Sequence, residues 1–195
     1  MTAVPRLAVL GSGKGSNFVA IQEAILAGSL HAQIALVVSD WPDATILARA
    51  TAFGLPIATL PPSPFRTKLG PEGETALVEL LRAHDIEWVI LAGYMRVVKE
   101  PLLSAFPNRI VNIHPSLLPA FKGLKAWEQA LAAGVQETGC TVHFVNRDID
   151  AGEIIAQQSV PVLDGDTPET LHARIQVAEH ELYPAALARV LQPGT

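Results

Sequence analysis

A chain of 195 residues, 49% hydrophobic and 17% charged, can bury the core of one globular domain, which excludes a disordered or fibrous protein. A net charge of −5 at neutral pH supplies no basic face for duplex nucleic acid, so any anionic ligand needs a local site. No apolar run approaches the roughly 20 residues that span a bilayer, the first six residues lack the regions of a secretion signal, and the lone Cys140 allows neither an internal disulfide nor a cysteine-built metal cage; the expectation is a soluble, cytoplasmic protein.

Apolar runs alternate with helical patterns along the first two thirds of the chain. Arg6–Leu10 reads as a strand that ends in Gly11-Ser12-Gly13-Lys14-Gly15-Ser16-Asn17, followed by a helix from about Asn17 to Ala27 with Phe18, Ile21, Ile25 and Leu26 inward. Strands follow at Ile34–Val38 and Pro56–Leu60, and helices at Thr45–Phe53 and Gly73–His84. Pro61, Pro62 and Pro64 mark a surface loop and not a domain linker, since the composition is the same on both sides. Glu87–Leu91 reads as a central strand and Arg109–Ile113 as a fifth buried one. Thr141–Asn146 and Ile154–Val162 then read as strands joined by a turn-rich segment, and Pro168 to about Leu191 as a final helix. Continuous apolar strands alternating with helices predict an open, mostly parallel α/β sheet flanked by helices, with an antiparallel C-terminal part.

Three segments carry chemistry. A glycine-rich turn from strand to helix presents backbone N–H groups and the positive helix end to an anion. Gly11-x-Gly13-x-Gly15 has Ser16 where the dinucleotide fingerprint has its third glycine, and it lacks the Gly-Lys-Ser/Thr ending of the nucleoside-triphosphate loop. It therefore suits a monophosphate, with Lys14, Ser16 and Asn17 adding polar contacts; the alternative is a tight turn in which Ser16 or Asn17 only caps the helix. Asn112 and His114 point the same way at a strand end, where an amide donor and an imidazole suit a developing oxyanion and a proton; the alternative is a hydrogen-bonded core pair. Asp148-Ile149-Asp150-Ala151-Gly152-Glu153 reads locally as a solvated turn, with Asp150 of interest only as a partner for His114.

Other candidates are weaker. The six histidines show no metal-binding spacing, so no metal is expected; Ser116 lies outside a nucleophile elbow, and Cys140 reads as a packing residue at the start of a strand. On the last helix His172, Gln176, Glu179 and Tyr183 share one face, which by itself reads as a solvated stripe.

Together GSGKGSN, LAGYMRVV, NIHPSLLP followed by FKG, GCTVHFV, D150-A-G-E and AEHELYP resemble the 10-formyltetrahydrofolate-dependent formyltransferases, and among them the branch that acts on glycinamide ribonucleotide, from Val9 through Pro184. The resemblance implies a Rossmann-like fold in one formyltransferase domain over 1–195, with a nucleotide-binding half of about 1–110 and a catalytic and folate-binding half of about 111–195. It implies formyl transfer from 10-formyltetrahydrofolate, as co-substrate, to the amine of 5-phosphoribosylglycinamide in purine synthesis, with Asn112, His114 and Asp150 as the catalytic set. Gly13, Lys14, Gly15, Ser16 and Asn17 fall on the phosphate loop, and Gln176 and Glu179 on the ribose contacts. Met95, Arg96, Val97 and Val98 match the pterin-pocket segment, Asn146, Arg147, Asp148 and Ile149 the loop that closes over it, and Lys68 a basic folate contact. Leu118-Pro119 resembles the family's cis peptide. Trp127 stands where relatives often have histidine, Gly11-Ser12 where Ile-Ser is usual, and the chain ends soon after its last helix. The implied partners are the two small molecules, without nucleic acid or membrane, in a monomer or homodimer. The competing readings are a 10-formyltetrahydrofolate hydrolase, another amine formyltransferase such as the methionyl-tRNA or sugar-nucleotide enzymes, and a non-catalytic nucleotide-binding module. The first two normally carry an additional N-terminal or C-terminal module that is not expected here.

Overall fold

The computed structural model describes residues 4–191; residues 1–3 and 192–195, on which the start of the signal-peptide reading and the short C-terminus bear, lie outside the described residues. In chain order the elements are β1 (Arg6–Leu10), α1 (Ser16–Leu26), β2 (Gln33–Ser39), α2 (Thr45–Ala52), β3 (Ile57–Thr59), α3 (Pro71–Ala83), β4 (Trp88–Leu91), α4 (Glu100–Ala105), β5 (Ile110–His114), α5 (Ala126–Ala133), β6 (Glu137–Phe144), β7 (Ile154–Pro161) and α6 (Pro168–Val190). The strands form one sheet in the order β3-β2-β1-β4-β5-β6-β7. Pairings among β1 to β5 are parallel, and β6 and β7 add antiparallel strands at the far edge. This is the architecture read from the sequence.

Strand alternation divides the core into two layers. Leu7 and Val9 of β1 face one layer with Ile90 and Val111, against Phe18 and Ile21 of α1 and Ile175 and Tyr183 of α6. Ala8 and Leu10 face the other with Val89 and Ile110, against Leu77 and Leu81 of α3 and Leu102 of α4. Because each central strand is covered on both faces, its residues read as an unbroken apolar run instead of an alternating one. The final helix begins at a reciprocal cap, in which Thr167 and Thr170 satisfy each other's backbone N–H, with Pro168 in the first turn.

The structure corrects several local readings. Leu26 is 68% exposed, while Phe18 and Ile21 are fully buried. At about 100° per residue Leu26 lies some 80° around the helix from Phe18, whereas Gln22 falls inside that arc and is buried. Two helices, α4 and α5, escaped the sequence reading. The first has only six residues and signals itself by Glu100-Pro101 alone; the second has a short apolar face and no side-chain N-cap. Helix α3 starts two residues early because Pro71 fits the first turn, where no N–H is needed. Strand β6 begins at Glu137, so Cys140 sits within a strand and not at its start; it is fully buried as a packing residue, its thiol pushed up to about 12 mainly by burial.

Candidate active site

From β1 the chain runs outward to β2 and β3, and β4 resumes on the other side of β1. The loops after β1 and β4 therefore diverge above the sheet, and such a switch point leaves a ligand crevice at the carboxyl ends of the strands. A cleft of about 520 Å3 opens here and is walled by the loops after β1, β4, β5 and β6 and by α6.

The first wall is residues 13–17. Gly15 is the N-cap of α1 at φ 71°, and a Cβ there would also run into Ile46, so the left-handed turn and the close approach both require glycine. No side chain caps α1, which disposes of the capping alternative for Ser16 and Asn17. The first amides of the helix are thus free of side-chain partners at its positive end. The Lys14 side chain is exposed, and residues 13–17 all line the cleft.

Asn112 and His114 stand two residues apart on β5, on the face opposite that of Val111 and Ile113. In the antiparallel register Asn112 pairs with His143 of β6, and its amide Nδ2 lies 3.2 Å from His143 Nε2. His143 Nδ1 lies 2.8 Å from the Phe144 carbonyl. With a proton on Nδ1 donated to that carbonyl, Nε2 becomes an acceptor and fixes Asn112 with its NH2 group toward the imidazole. Burial, the largest influence, holds the His143 pKa below the usual imidazole range and favours this neutral form. His143 was missed in the sequence. Its signal is alternation with Thr141 on a strand, but the strand pairing that puts it opposite Asn112 is not written locally.

His114 is 5% exposed, with Nε2 2.9 Å from the Phe121 carbonyl and Nδ1 3.4 Å from Asp150 Oδ2. Both ring nitrogens thus face acceptors, which a doubly protonated ring meets as a donor at each. The Asp150 side chain is only 11% exposed; its Oδ2 accepts the Gly123 N–H at 2.8 Å and its Oδ1 lies 3.8 Å from His143 Nε2. The solvated-turn reading therefore fails for Asp150. Gly152 makes the turn tight enough, since a Cβ there would overlap the Phe144 carbonyl oxygen.

The stripe on α6 is not a solvated face either. His172, Gln176 and Glu179 line the cleft, and Tyr183 is fully buried with its hydroxyl 3.0 Å from the carbonyls of Leu91 and Val111. His172 stacks on Trp127 with ring centroids 3.7 Å apart and planes 5° apart. Burial, helped by Lys14, lowers its pKa. Glu179 accepts a 2.9 Å hydrogen bond from Asn17 Nδ2. Burial pushes its carboxyl up to about 7 against that hydrogen bond. Among the described residues, Asn17 Oδ1 is buried without a hydrogen-bond partner beside this pair, which fits a ligand carrying hydroxyl donors.

Met95, Arg96, Val97 and Val98 also line the cleft, as do Asn146, Arg147, Asp148 and Ile149. Met95 and Ile149 are more than half exposed, an apolar rim open to a flat ligand. Arg147 is paired with Glu100, which ties this loop to α4. Lys68 is not in the cleft wall: its backbone bridges to Val97, and its ammonium lies 4.4 Å from the centre of the Phe65 ring. The Leu118–Pro119 peptide bond is cis.

An amide, an imidazole and a carboxylate converging in a crevice at the strand ends define an α/β protein equipped to stabilise an oxyanion and move a proton on a bound small molecule. Residues 5–187 match the family described as Formyl transferase. The phosphoribosylglycinamide formyltransferase of Bacillus subtilis (strain 168) is 43% identical over 186 residues, 95% of this chain and 94% of that protein. The human trifunctional purine biosynthetic protein adenosine-3 is 43% identical over 95% of this chain, which spans only 18% of the human protein. The crystal structure of glycinamide ribonucleotide transformylase 1 from Symbiobacterium toebii superposes with a TM-score of 0.92 at 47% identity, covering 96% of this chain and 88% of that one. The chain belongs to the formyl transferase family.

Proposed function

We propose that the protein transfers the formyl group of 10-formyltetrahydrofolate to the amine of 5-phosphoribosylglycinamide, a step of purine synthesis, in the cytoplasm. The observation that carries this reading is the convergence in one cleft of a helix N-terminus free of side-chain caps with the Asn112–His114–Asp150 cluster. The relatives' names agree with it.

In this reading Gly13 to Asn17 hold the phosphate through helix amides, with Lys14 adding charge. Gln176 and Glu179 take the ribose hydroxyls, and the unpaired Asn17 Oδ1 offers a further acceptor at that place. Residues 95–98 and 146–149 enclose the folate. The half of the chain up to about residue 110 thus supplies the nucleotide loop, and the half after it supplies the catalytic strand and turn.

The amine nitrogen attacks the formyl carbon, and the carbonyl pair moves to oxygen. Asn112 donates an N–H to that oxyanion; His114 reaches it through Nε2, exchanging the Phe121 carbonyl for the oxyanion, while Asp150 orients the imidazole from the Nδ1 side. As the oxyanion collapses, the bond from carbon to folate nitrogen breaks. The nitrogen leaves as tetrahydrofolate carrying one proton, and the attacking amine loses one. No protein side chain becomes acylated. Holding both reactants in one cleft supplies the orientation that a bimolecular reaction lacks, up to several kcal/mol of barrier.

The test is an assay of tetrahydrofolate release from 10-formyltetrahydrofolate with glycinamide ribonucleotide or with water as acceptor. Release that depends on the ribonucleotide, with formylated product, supports the reading. Release to water alone identifies a hydrolase, and none with either acceptor overturns the reading in favour of a binding module or a transferase for another amine.

A further inference from the structure

Asp40 stands just beyond β2, and its buried side chain is 6% exposed. Both of its carboxylate oxygens are used. Oδ1 accepts the Ser12 hydroxyl at 2.5 Å, and Oδ2 accepts Arg96 Nε at 2.6 Å. Ser12 Oγ in turn accepts the Met95 backbone N–H at 2.9 Å, and the Ser12 N–H donates to the Gly93 carbonyl at 3.0 Å. Arg96 also donates to the Phe65 carbonyl in the proline-rich loop. One buried carboxylate therefore binds together the loops that follow β1, β2, β3 and β4, at the switch point of the sheet.

Neither Ser12 nor Asp40 lines the cleft, although both adjoin segments that do. Ser12 immediately precedes residues 13–17, and it holds Met95 at the head of 95–98. The Arg96 guanidinium, expected at the folate, is instead occupied by Asp40 and the Phe65 carbonyl. A hydroxyl that donates to a fixed carboxylate while accepting from a neighbouring backbone leaves little freedom. A shift of one loop must move the other or break a buried hydrogen bond.

We propose that Ser12, Asp40 and Arg96 are positioning residues that couple the two binding regions of the cleft, so that filling residues 13–17 with the ribonucleotide tightens 95–98 around the folate, and the reverse. This rests on the proposed two-substrate reaction. Coupling of this kind is reciprocal and amounts to a fold-change in affinity that either ligand exerts on the other.

The test titrates glycinamide ribonucleotide calorimetrically into the whole chain with and without saturating tetrahydrofolate, which lacks the formyl group and cannot turn over. In the unaltered protein tetrahydrofolate should tighten ribonucleotide binding about tenfold, within the usual range of such couplings. Ser12→Ala should reduce this to less than about twofold while each ligand alone keeps its affinity within about threefold. Asp40→Asn should fall between, because its NH2 replaces one of the two acceptor oxygens and sets a donor against Ser12 or Arg96. Ser12→Thr, which keeps the hydroxyl, should retain the coupling. Coupling that persists unchanged in Ser12→Ala and Asp40→Asn, or its absence from an unaltered protein that binds both ligands and transfers formyl, overturns the proposal alone. An unaltered protein that binds the ribonucleotide but no folate overturns the functional reading, and the proposal with it.

Discussion

His114 has a carbonyl on one ring nitrogen and a carboxylate near the other, so its plane and reach are set before any ligand arrives. If it stabilises the oxyanion, His114→Ala should lower kcat by about a hundredfold or more, the scale for removing one such donor, while calorimetry still detects both ligands. A folded variant with near-normal turnover would remove His114 from the mechanism. Glu179 obeys a different logic. Its carboxyl titrates near 7 in the folded protein, against an ordinary value of 4.5, because it is buried. Between those values the folded state holds a proton that the unfolded state has released, so this group's contribution to stability falls as pH rises from about 4.5 to about 7. Glu179→Gln removes that fall and still offers Asn17 an acceptor oxygen. Relative to the unaltered protein, the variant should gain about 2 to 3 kcal/mol of stability between pH 5 and pH 8, read from denaturant melts at the two values. Its KM for the ribonucleotide should rise with a smaller change in kcat, since a ribose contact is made in both ground and transition states.

Helix α1 serves the site through its end and not its face. The amides of its first turn are intrinsic to any helix, but Gly15 and the packing of Ile46 against it hold that end open toward the cleft. Lys14 adds a solvent-exposed charge to this built-in donor set. Lys14→Ala should therefore weaken ribonucleotide binding more at 20 mM than at 500 mM salt, where a Debye length of only several Å screens the lost charge, and should leave tetrahydrofolate affinity unchanged. Equal losses for both ligands at both salt concentrations would contradict a phosphate contact. Helix α6 illustrates the opposite arrangement: its polar stripe resembled a solvated face because the residues are hydrophilic and correctly spaced. Asn17 in the first turn of α1 and the Trp127 ring cover that stripe, and neither neighbour can be read from α6 itself.

The buried Tyr183 hydroxyl joins α6 to the central strands of the sheet. Tyr183, in the last third of the chain, donates to the carbonyls of Leu91 at the end of β4 and Val111 near the start of β5, two neighbouring strands of the sheet. Tyr183→Phe keeps the ring volume and leaves those buried carbonyls without this donor, so thermal unfolding should register a loss of about 1 to 3 kcal/mol. An unchanged melt would mean that the hydroxyl contributes nothing net to the α6 contact.

The mostly parallel character of the sheet and the glycine turn were readable because they rest on local regularities: apolar runs of strand length alternating with helices, caps, and a spacing that leaves helix amides free. The shared direction of Asn112 and His114 was readable for the same reason, since two residues on a strand must point alike. Asp150 was not readable from its own segment. A carboxylate in a turn is ordinarily solvated, and only the antiparallel return through β6 brings it to 3.4 Å from an imidazole on β5; until then only the family resemblance pointed to it. His143 was hidden because its role depends on strand register, and Asp40 because its partners Ser12 and Arg96 come from two other loops that meet it only when the sheet closes. Periodicity records which way a side chain faces, whereas pairing between distant segments is set by how the layers pack, and that pairing assembled the amide, imidazoles and carboxylate into one cleft.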